Sequence, residues 1–309
     1  MKDKGGGDSG AVELSQLWVR TQNQMSGYVF DDHFFTNFLS PDFPEFAKFA
    51  SWSPLEPTYR YFKGFLYNLV RNKQGDFFEN YRRIGLTGLG NALTVVSHGT
   101  SVNLEYLTAI EEFDFLNDSM DLGAVKQVVE IGTGYGRTAH TILRLRPNIE
   151  RYFAIDLPQT WELARGYLER VAPDLLNKIV FLDYRYPDSW EQLRPDLTLN
   201  VDGFHAMTRS ALDLYRTSLL VNSRFVYVKN SVCKYEPSAI GLKIDVPKDL
   251  FENGLMTEIA DIFNEDELVE LRIKYELRYR PSIDFDIISA RPSESFGFFQ
   301  HVLYESTQE

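Results

Sequence analysis

Three alternating glycines, Gly132, Gly134 and Gly136, separate a β-branched apolar run from a segment with helical periodicity, and this feature most constrains the fold. The stretch reads Val128-Val129-Glu130-Ile131-Gly132-Thr133-Gly134-Tyr135-Gly136. A chain that leaves a strand and enters a helix within so few residues needs positive φ and bare backbone at the turn, and glycine supplies both. The pattern then repeats. Short apolar runs at 127–133, 151–157, 178–184, 197–204 and 224–230 alternate with helical stretches over Arg137 to Leu145, from Pro158 onward, and over roughly Thr208 to Leu220. Pro158 suits the first turn of a helix, where no amide hydrogen is needed. Strands alternating with helices predict an α/β fold with a parallel sheet and crossover helices. The runs FDIISARPS and FGFFQHVLYES lie close enough in sequence to add an antiparallel pair at a sheet edge.

The front of the chain has a different texture. Between Trp18 and Tyr81, 18 of 64 residues are aromatic, against 14% over all 309 residues. Phe62, Phe65, Leu66 and Leu69 fall at helical spacing, and Pro41, Pro44, Pro54 and Pro57 cut the region into short pieces. This predicts a helical N-terminal region over 11–120 ahead of a ligand-binding domain over 121–309. So much aromatic surface needs a partner: the next domain, a bound acceptor beneath a lid, or a second copy in a homodimer. The glycine-rich stretch 1–10 has no apolar core and is expected to be a disordered tail rather than a signal peptide.

Composition excludes several classes. Hydrophobic residues at 44% and charged residues at 25% are ordinary for a globular chain. A net charge of −12 argues against nucleic acid and anionic membranes as partners. No run approaches the ~18 apolar residues of a membrane helix. A single cysteine, Cys233, cannot form an internal disulfide or a cysteine zinc site, so a cytoplasmic location is expected.

Acidic residues recur where the strands end. Glu130 precedes the first glycine, Asp156 closes the second strand and Asp183 the third. Open α/β sheets bind ligands at these ends, where Asp156 can accept from ribose hydroxyls and Asp183 from an adenine amino group. Dinucleotide enzymes use G-x-G-x-x-G with a pyrophosphate on the helix N-terminus; here the third glycine comes one residue early. Glu130 would repel a pyrophosphate but suits a cofactor carrying an ammonium and a sulfonium, which describes S-adenosylmethionine.

The segments VVEIGTGYGRTAHTIL and FAIDLPQTWELARGYLERV resemble the sugar O-methyltransferase family, whose members have the Rossmann-like class I methyltransferase fold. The similarity continues through LTLNVDGFHAM to FVYVKNSVCKY, and more loosely upstream through GNALTVV and NLEYLTAIEEF. It implies cofactor contacts by Glu130, Gly132, Gly134, Gly136 and Asp156, and a sugar or glycoside as the small-molecule acceptor. One departure stands out. Where the family reads S-F-Q-E-M, this chain reads Gly203-Phe204-His205-Ala206-Met207, so an acidic side chain is missing.

Methyl transfer to a hydroxyl needs a group that takes its proton, or a divalent cation that acidifies it. Asp202 and His205 follow the fourth strand three residues apart, and His205 is the expected base, oriented by Asp202. No metal ligands are predicted. His33, His98, His140 and His301 show no ligand spacing, and Lys229-Asn230 reads as a turn. The expected activity is S-adenosylmethionine-dependent O-methylation. The alternatives are a cofactor-binding protein without turnover, which the missing acidic residue favours, and a NAD-dependent oxidoreductase, which the glycine spacing disfavours.

Overall fold

In the computed structural model, which describes residues 14–39, 59–86, 88–240 and 248–308, seven strands form one sheet. The stretch 1–10 and the four prolines between 41 and 57 lie outside the described residues. In chain order the elements are α1 (Gln16–Met25), α2 (Asp32–Asn37), α3 (Tyr59–Val70), α4 (Gly75–Ile84), a hairpin of β1 (Thr94–Ser97) and β2 (Thr100–Asn103), and α5 (Leu104–Ser119). There follow β3 (Gln127–Ile131), α6 (Arg137–Leu145), β4 (Arg151–Asp156), α7 (Pro158–Val171), β5 (Ile179–Asp183), β6 (Leu197–Val201), α8 (Arg209–Ser218) and β7 (Phe225–Ser231). The chain closes with the short α9 (Asp249–Glu252), α10 (Glu265–Arg278), β8 (Phe285–Pro292) and β9 (Phe299–Ser306).

The sheet order is β5-β4-β3-β6-β7-β9-β8, parallel from β5 to β7 and antiparallel through β9 and β8. This is the Rossmann-like sheet of the class I methyltransferase type, with the antiparallel pair at its edge. Because β3 has β4 on one side and β6 on the other, the strand order reverses there and leaves a crevice at the carboxyl ends. Register fixes what faces that crevice: Asp156 of β4 pairs directly with Asp183 of β5. The central strands are buried on both faces, as parallel strands covered by helices are, and every residue of β7 is buried, its polar Lys229 and Asn230 included.

Sequence periodicity located α6 from Arg137 to Leu145 and the start of α7 at Pro158. The fourth strand ends earlier than expected, at Val201, because the chain turns into a short 3-10 turn over Phe204–Ala206. Thr208 then caps α8, accepting from the Ala211 amide at 3.3 Å. Lys229-Asn230 is no turn: both residues lie inside β7 and are buried. The hairpin β1–β2 and helix α10 were not read from the sequence. One continuous apolar core joins residues on both sides of position 120, because α5 is buried over most of its length and packs on α6 and β9.

Gly136 has φ of +90°, and a Cβ there would sit 3.0 Å from the Leu168 side chain of α7. Gly136→Val should therefore cost about 2 to 4 kcal/mol, from left-handed backbone strain plus overpacking. Gly64, exposed in α3 with nothing near its added Cβ, is the control: Gly64→Ala should be neutral or stabilising by up to about 1 kcal/mol. Denaturant melts of the two variants check both values.

Candidate active site

At the crevice a cleft of about 1160 Å³, open mouth included, is lined by the glycine turn, the ends of β4, β6 and β7, and residues from the chain's two extremities. The glycine turn forms as the sequence requires, with φ of +81° at Gly132 and +57° at Gly134. Asp156 holds it from below, accepting from the Gly134 amide at 3.0 Å and the Leu157 amide at 2.7 Å. Burial raises the Asp156 carboxyl to about 6 even against these donors. Two buried hydroxyls of the same wall, Thr133 Oγ1 and Tyr135 OH, have no hydrogen-bond partner among the described residues. Unmet buried donors of this kind are sites where a polar ligand gains most.

Glu130 lies beneath the turn, 1% exposed, and accepts from the Tyr152 hydroxyl at 2.8 Å. Burial pushes its carboxyl up to about 8, outweighing Tyr152 and Arg137. A carboxyl so placed holds its proton near neutral pH until a positive charge arrives beside it. The donor set therefore fits a nucleoside cofactor with a cationic amino-acid arm: carboxylates for ribose and cation, bare glycine backbone for close approach.

Sequence reasoning missed the charges next to this cradle. Glu112 of α5 accepts from Arg137 Nη2 on both oxygens, at 3.0 and 3.1 Å, and from Lys229 Nζ at 2.9 Å. Arg137 also donates to the Glu105 carbonyl at 2.9 Å and to the Thr108 hydroxyl. All three charged residues line the cleft and all three are buried. The available signal was a pair of carboxylates, Glu111-Glu112, in the middle of an apolar helix, which no solvated face explains.

Asp202 also lines the cleft, at a left-handed φ of +54°. Its backbone amide donates to the Lys229 carbonyl at 2.7 Å. Behind it, Asn200 donates to the Ile131 carbonyl at 2.7 Å and accepts from the Phe204 amide at 3.0 Å and Asn230 Nδ2 at 2.9 Å, tying the ends of β3, β6 and β7 together. Desolvation raises Asp202 to about 7, although Lys229 and Arg137 pull it down. His205 stands with Nδ1 3.2 Å from Asp202 Oδ1 but does not line the cleft. Burial, reinforced by Lys234, holds its imidazole well below the usual histidine range, so the ring is neutral at working pH. Ala206, where the family carries an acidic residue, is buried within the 3-10 turn and is likewise absent from the lining.

Asp183 is engaged elsewhere. Arg185 grips its carboxylate with Nε at 3.0 Å and Nη2 at 2.6 Å, and the neighbouring Tyr184 lines the cleft instead. An aspartate that bonds the backbone two residues on is drawn into its own turn. Of the sequence-derived set, the structure brings together Glu130, Gly132, Gly134, Asp156 and Asp202. Gly136 caps α6 beside them, and Asp183 and His205 stand outside the lining.

The cleft mouth is built from distant segments. Leu14, Ser15 and Trp18 reach it from the start of the described chain, and the Gln16 amide of α1 is held by Asp249 of α9 at 2.9 Å. Phe296 comes from the loop before β9, and Phe299 is the first residue of that strand. That loop is pinned by Glu111, which accepts from the Glu294 amide at 2.6 Å, Ser295 Oγ at 2.7 Å and His301 Nε2 at 3.2 Å. Among the described residues, no group of three or more His, Cys, Asp or Glu is placed to hold a metal ion, and no helix is long and apolar enough to cross a membrane.

No protein-family model matches the chain, and no curated protein does. Solved structures that superpose on it include an O-methyltransferase family protein from Burkholderia thailandensis, at 12% identity and TM-score 0.42 over 66% of this chain and 57% of that one. The mitomycin 7-O-methyltransferase MmcR superposes at 14% identity and TM-score 0.41, over 87% and 72% of the two chains. The methyltransferase domain of bacterial CtHen1 does so at 13% identity and TM-score 0.42, over 65% and 99%. The chain thus spans little more than half the length of the Burkholderia protein. Its own strand order and glycine turn define the fold class independently of these partial likenesses.

The raised Glu130 carboxyl has a consequence for stability. Between its ordinary value of 4.5 and about 8, the folded chain keeps a proton that the unfolded chain has released, so stability falls as pH rises through that window. The melting temperature of the ligand-free wild type, measured relative to Glu130→Gln, should drop from pH 5 to pH 8 and level off above. Parallel curves would show that Glu130 titrates normally.

Proposed function

We propose that this chain is an S-adenosylmethionine-dependent O-methyltransferase acting on a sugar hydroxyl or a related polyol, working in the cytoplasm. The observation that carries the reading is the buried Glu130 carboxyl under the Gly132–Gly136 turn, together with Asp156 at the next strand end. A carboxyl at that point disfavours the pyrophosphate of a nicotinamide cofactor and favours a cation. The sugar acceptor rests on the sequence resemblance, supported by the mixture of Trp18, Phe296 and Phe299 with charged groups in the same cleft.

S-adenosylmethionine, when bound, supplies a methyl carbon activated by positively charged sulfur and leaves as a neutral thioether. What remains for the protein is to orient the acceptor and remove its proton. Asp202 is the group placed to do so. It lines the cleft, and with its carboxyl near 7 it exists as a base at neutral pH. Asp202 would accept the proton that the acceptor hydroxyl gives up. His205, a neutral ring whose Nδ1 makes no hydrogen bond among the described residues, lies behind the carboxylate at 3.2 Å. Lys229, fixed by Glu112 beside Asp202 in the lining, offers positive charge to the oxygen as it loses its proton.

Calorimetry should show binding of S-adenosylmethionine and S-adenosylhomocysteine but not of NAD; binding of NAD alone would end this reading. Asp202→Asn should lower kcat by ~10² to 10⁴ with cofactor affinity kept within a few-fold, the usual loss for a general base. The wild-type rate should rise with pH through about 7 to a plateau, because the ionised carboxylate is the active form, and that rise should vanish in the variant. A larger loss in His205→Ala than in Asp202→Asn would return the proton to the histidine.

A further inference from the structure

Helix α10 packs one face on the sheet edge through Leu268, Leu271, Arg272 and Tyr275, and its other face carries an ordered pattern. Val269, Ile273 and Leu277 recur every four residues and are 49%, 58% and 62% exposed. A row of three large aliphatic side chains held in water on one helix face is an unpaid hydrophobic term. Beside it runs a second row at the same spacing, Asp266, Glu270, Lys274 and Arg278, all exposed. Its charges read minus, minus, plus, plus. Glu270 and Lys274 form no ion pair among the described residues, while Arg278 donates to Glu258 at 2.6 Å and to the Leu255 carbonyl at 3.1 Å and keeps its other nitrogens for a partner.

Such a row is complementary to itself when reversed. Two copies of α10 laid antiparallel about a two-fold axis near Arg272 bring Glu270 opposite Lys274 of the second copy and Asp266 opposite its Arg278. The same axis sets Ile273 beside its own equivalent and Val269 near Leu277. In an antiparallel helix pair the residues flanking the apolar seam meet their own row, so one register satisfies both the seam and the charges. In a parallel pair this row would face the opposite flank of the partner's seam, and its self-complementarity would go unused. We propose that the chain forms a two-fold homodimer through α10, with this antiparallel register. The proposal is independent of the reaction assigned to the cleft. The 14-residue helix is about 21 Å long and falls short of the ~800 Å² per partner of a standard interface, so the dimer is a reversible one.

Sedimentation equilibrium of the full chain at rising micromolar concentrations tests it. The wild type should associate with a Kd on the order of micromolar. Ile273→Glu, Glu270→Lys alone and Lys274→Glu alone should each weaken association at least ~10-fold, a step of about 1.4 kcal/mol. An equimolar mixture of the Glu270→Lys and Lys274→Glu chains should form a heterodimer that neither variant forms by itself. The double exchange within one chain should restore the wild-type dimer, and pairing in the mixture shows that the single variants fold. A wild type that stays monomeric overturns the proposal, whether a different protein or undescribed parts of the same chain meet the stripe. So does a dimer indifferent to these substitutions, or a mixture that fails to pair.

Discussion

The carboxylate of Glu112 is the interaction on which the rest of the cleft depends. It joins α5, α6 and β7 by accepting from Arg137 and Lys229 at once, in a position almost sealed from water. Two cations sharing one carboxylate leave an excess positive charge, and the partly titrating Glu130 and Asp202 stand close enough for the same cations to act on them. Removing one partner from such an arrangement strands a charge without water or counterion, which typically costs 3–5 kcal/mol. The helix that supplies Glu112 precedes the sheet in the chain, so the first half of the sequence is structurally committed to the site.

The same helix fixes the mouth. Glu111, one residue before, receives the Glu294 amide, the Ser295 hydroxyl and His301, and so holds both the loop that carries Phe296 and the strand that begins at Phe299. His301 in turn meets the Tyr227 hydroxyl on β7 at 2.8 Å. Neighbouring glutamates thus serve different ends, one balancing cations in the cleft and one anchoring its rim. Strain gathers at the point where chemistry is expected: Asp202 adopts a left-handed backbone that the Asn200 and Asn230 side chains support from behind.

The parts of this architecture legible in the sequence were those that depend on local chemistry. Glycine at 132, 134 and 136, proline at 158 and β-branched runs each constrain a few neighbouring residues, and they placed β3 to β7 and the helices α6 to α8 with ends off by up to three residues. Glu130 and Asp156 could be read because a strand end and a glycine turn fix where their side chains must emerge. What could not be read was set by contacts between distant segments. Lys229 looked like a turn residue because its counterion lies 117 positions earlier. Asp183 seemed free for a nucleobase because its grip by Arg185 depends on how the chain turns after β5. His205 seemed poised over the site, yet the 3-10 turn carries it behind Asp202, and the 254 loop closes on it so tightly that a Cβ on Gly254 would meet its backbone at 2.9 Å. Helix α10 escaped notice because its exposed apolar stripe blurs the usual contrast between buried and solvated faces.

The cleft is an acidic cradle kept partly protonated until a cation enters it, with Glu130 near 8, Asp202 near 7 and Asp156 near 6 in the ligand-free chain. Titrating S-adenosylmethionine calorimetrically at pH 7, in two buffers of different ionisation enthalpy, counts the protons exchanged on binding. A net release on the order of one proton is expected, as the incoming cation favours the ionised carboxylates, with a smaller release in Glu130→Gln. A binding enthalpy that is the same in both buffers, or a net uptake of protons, would contradict it.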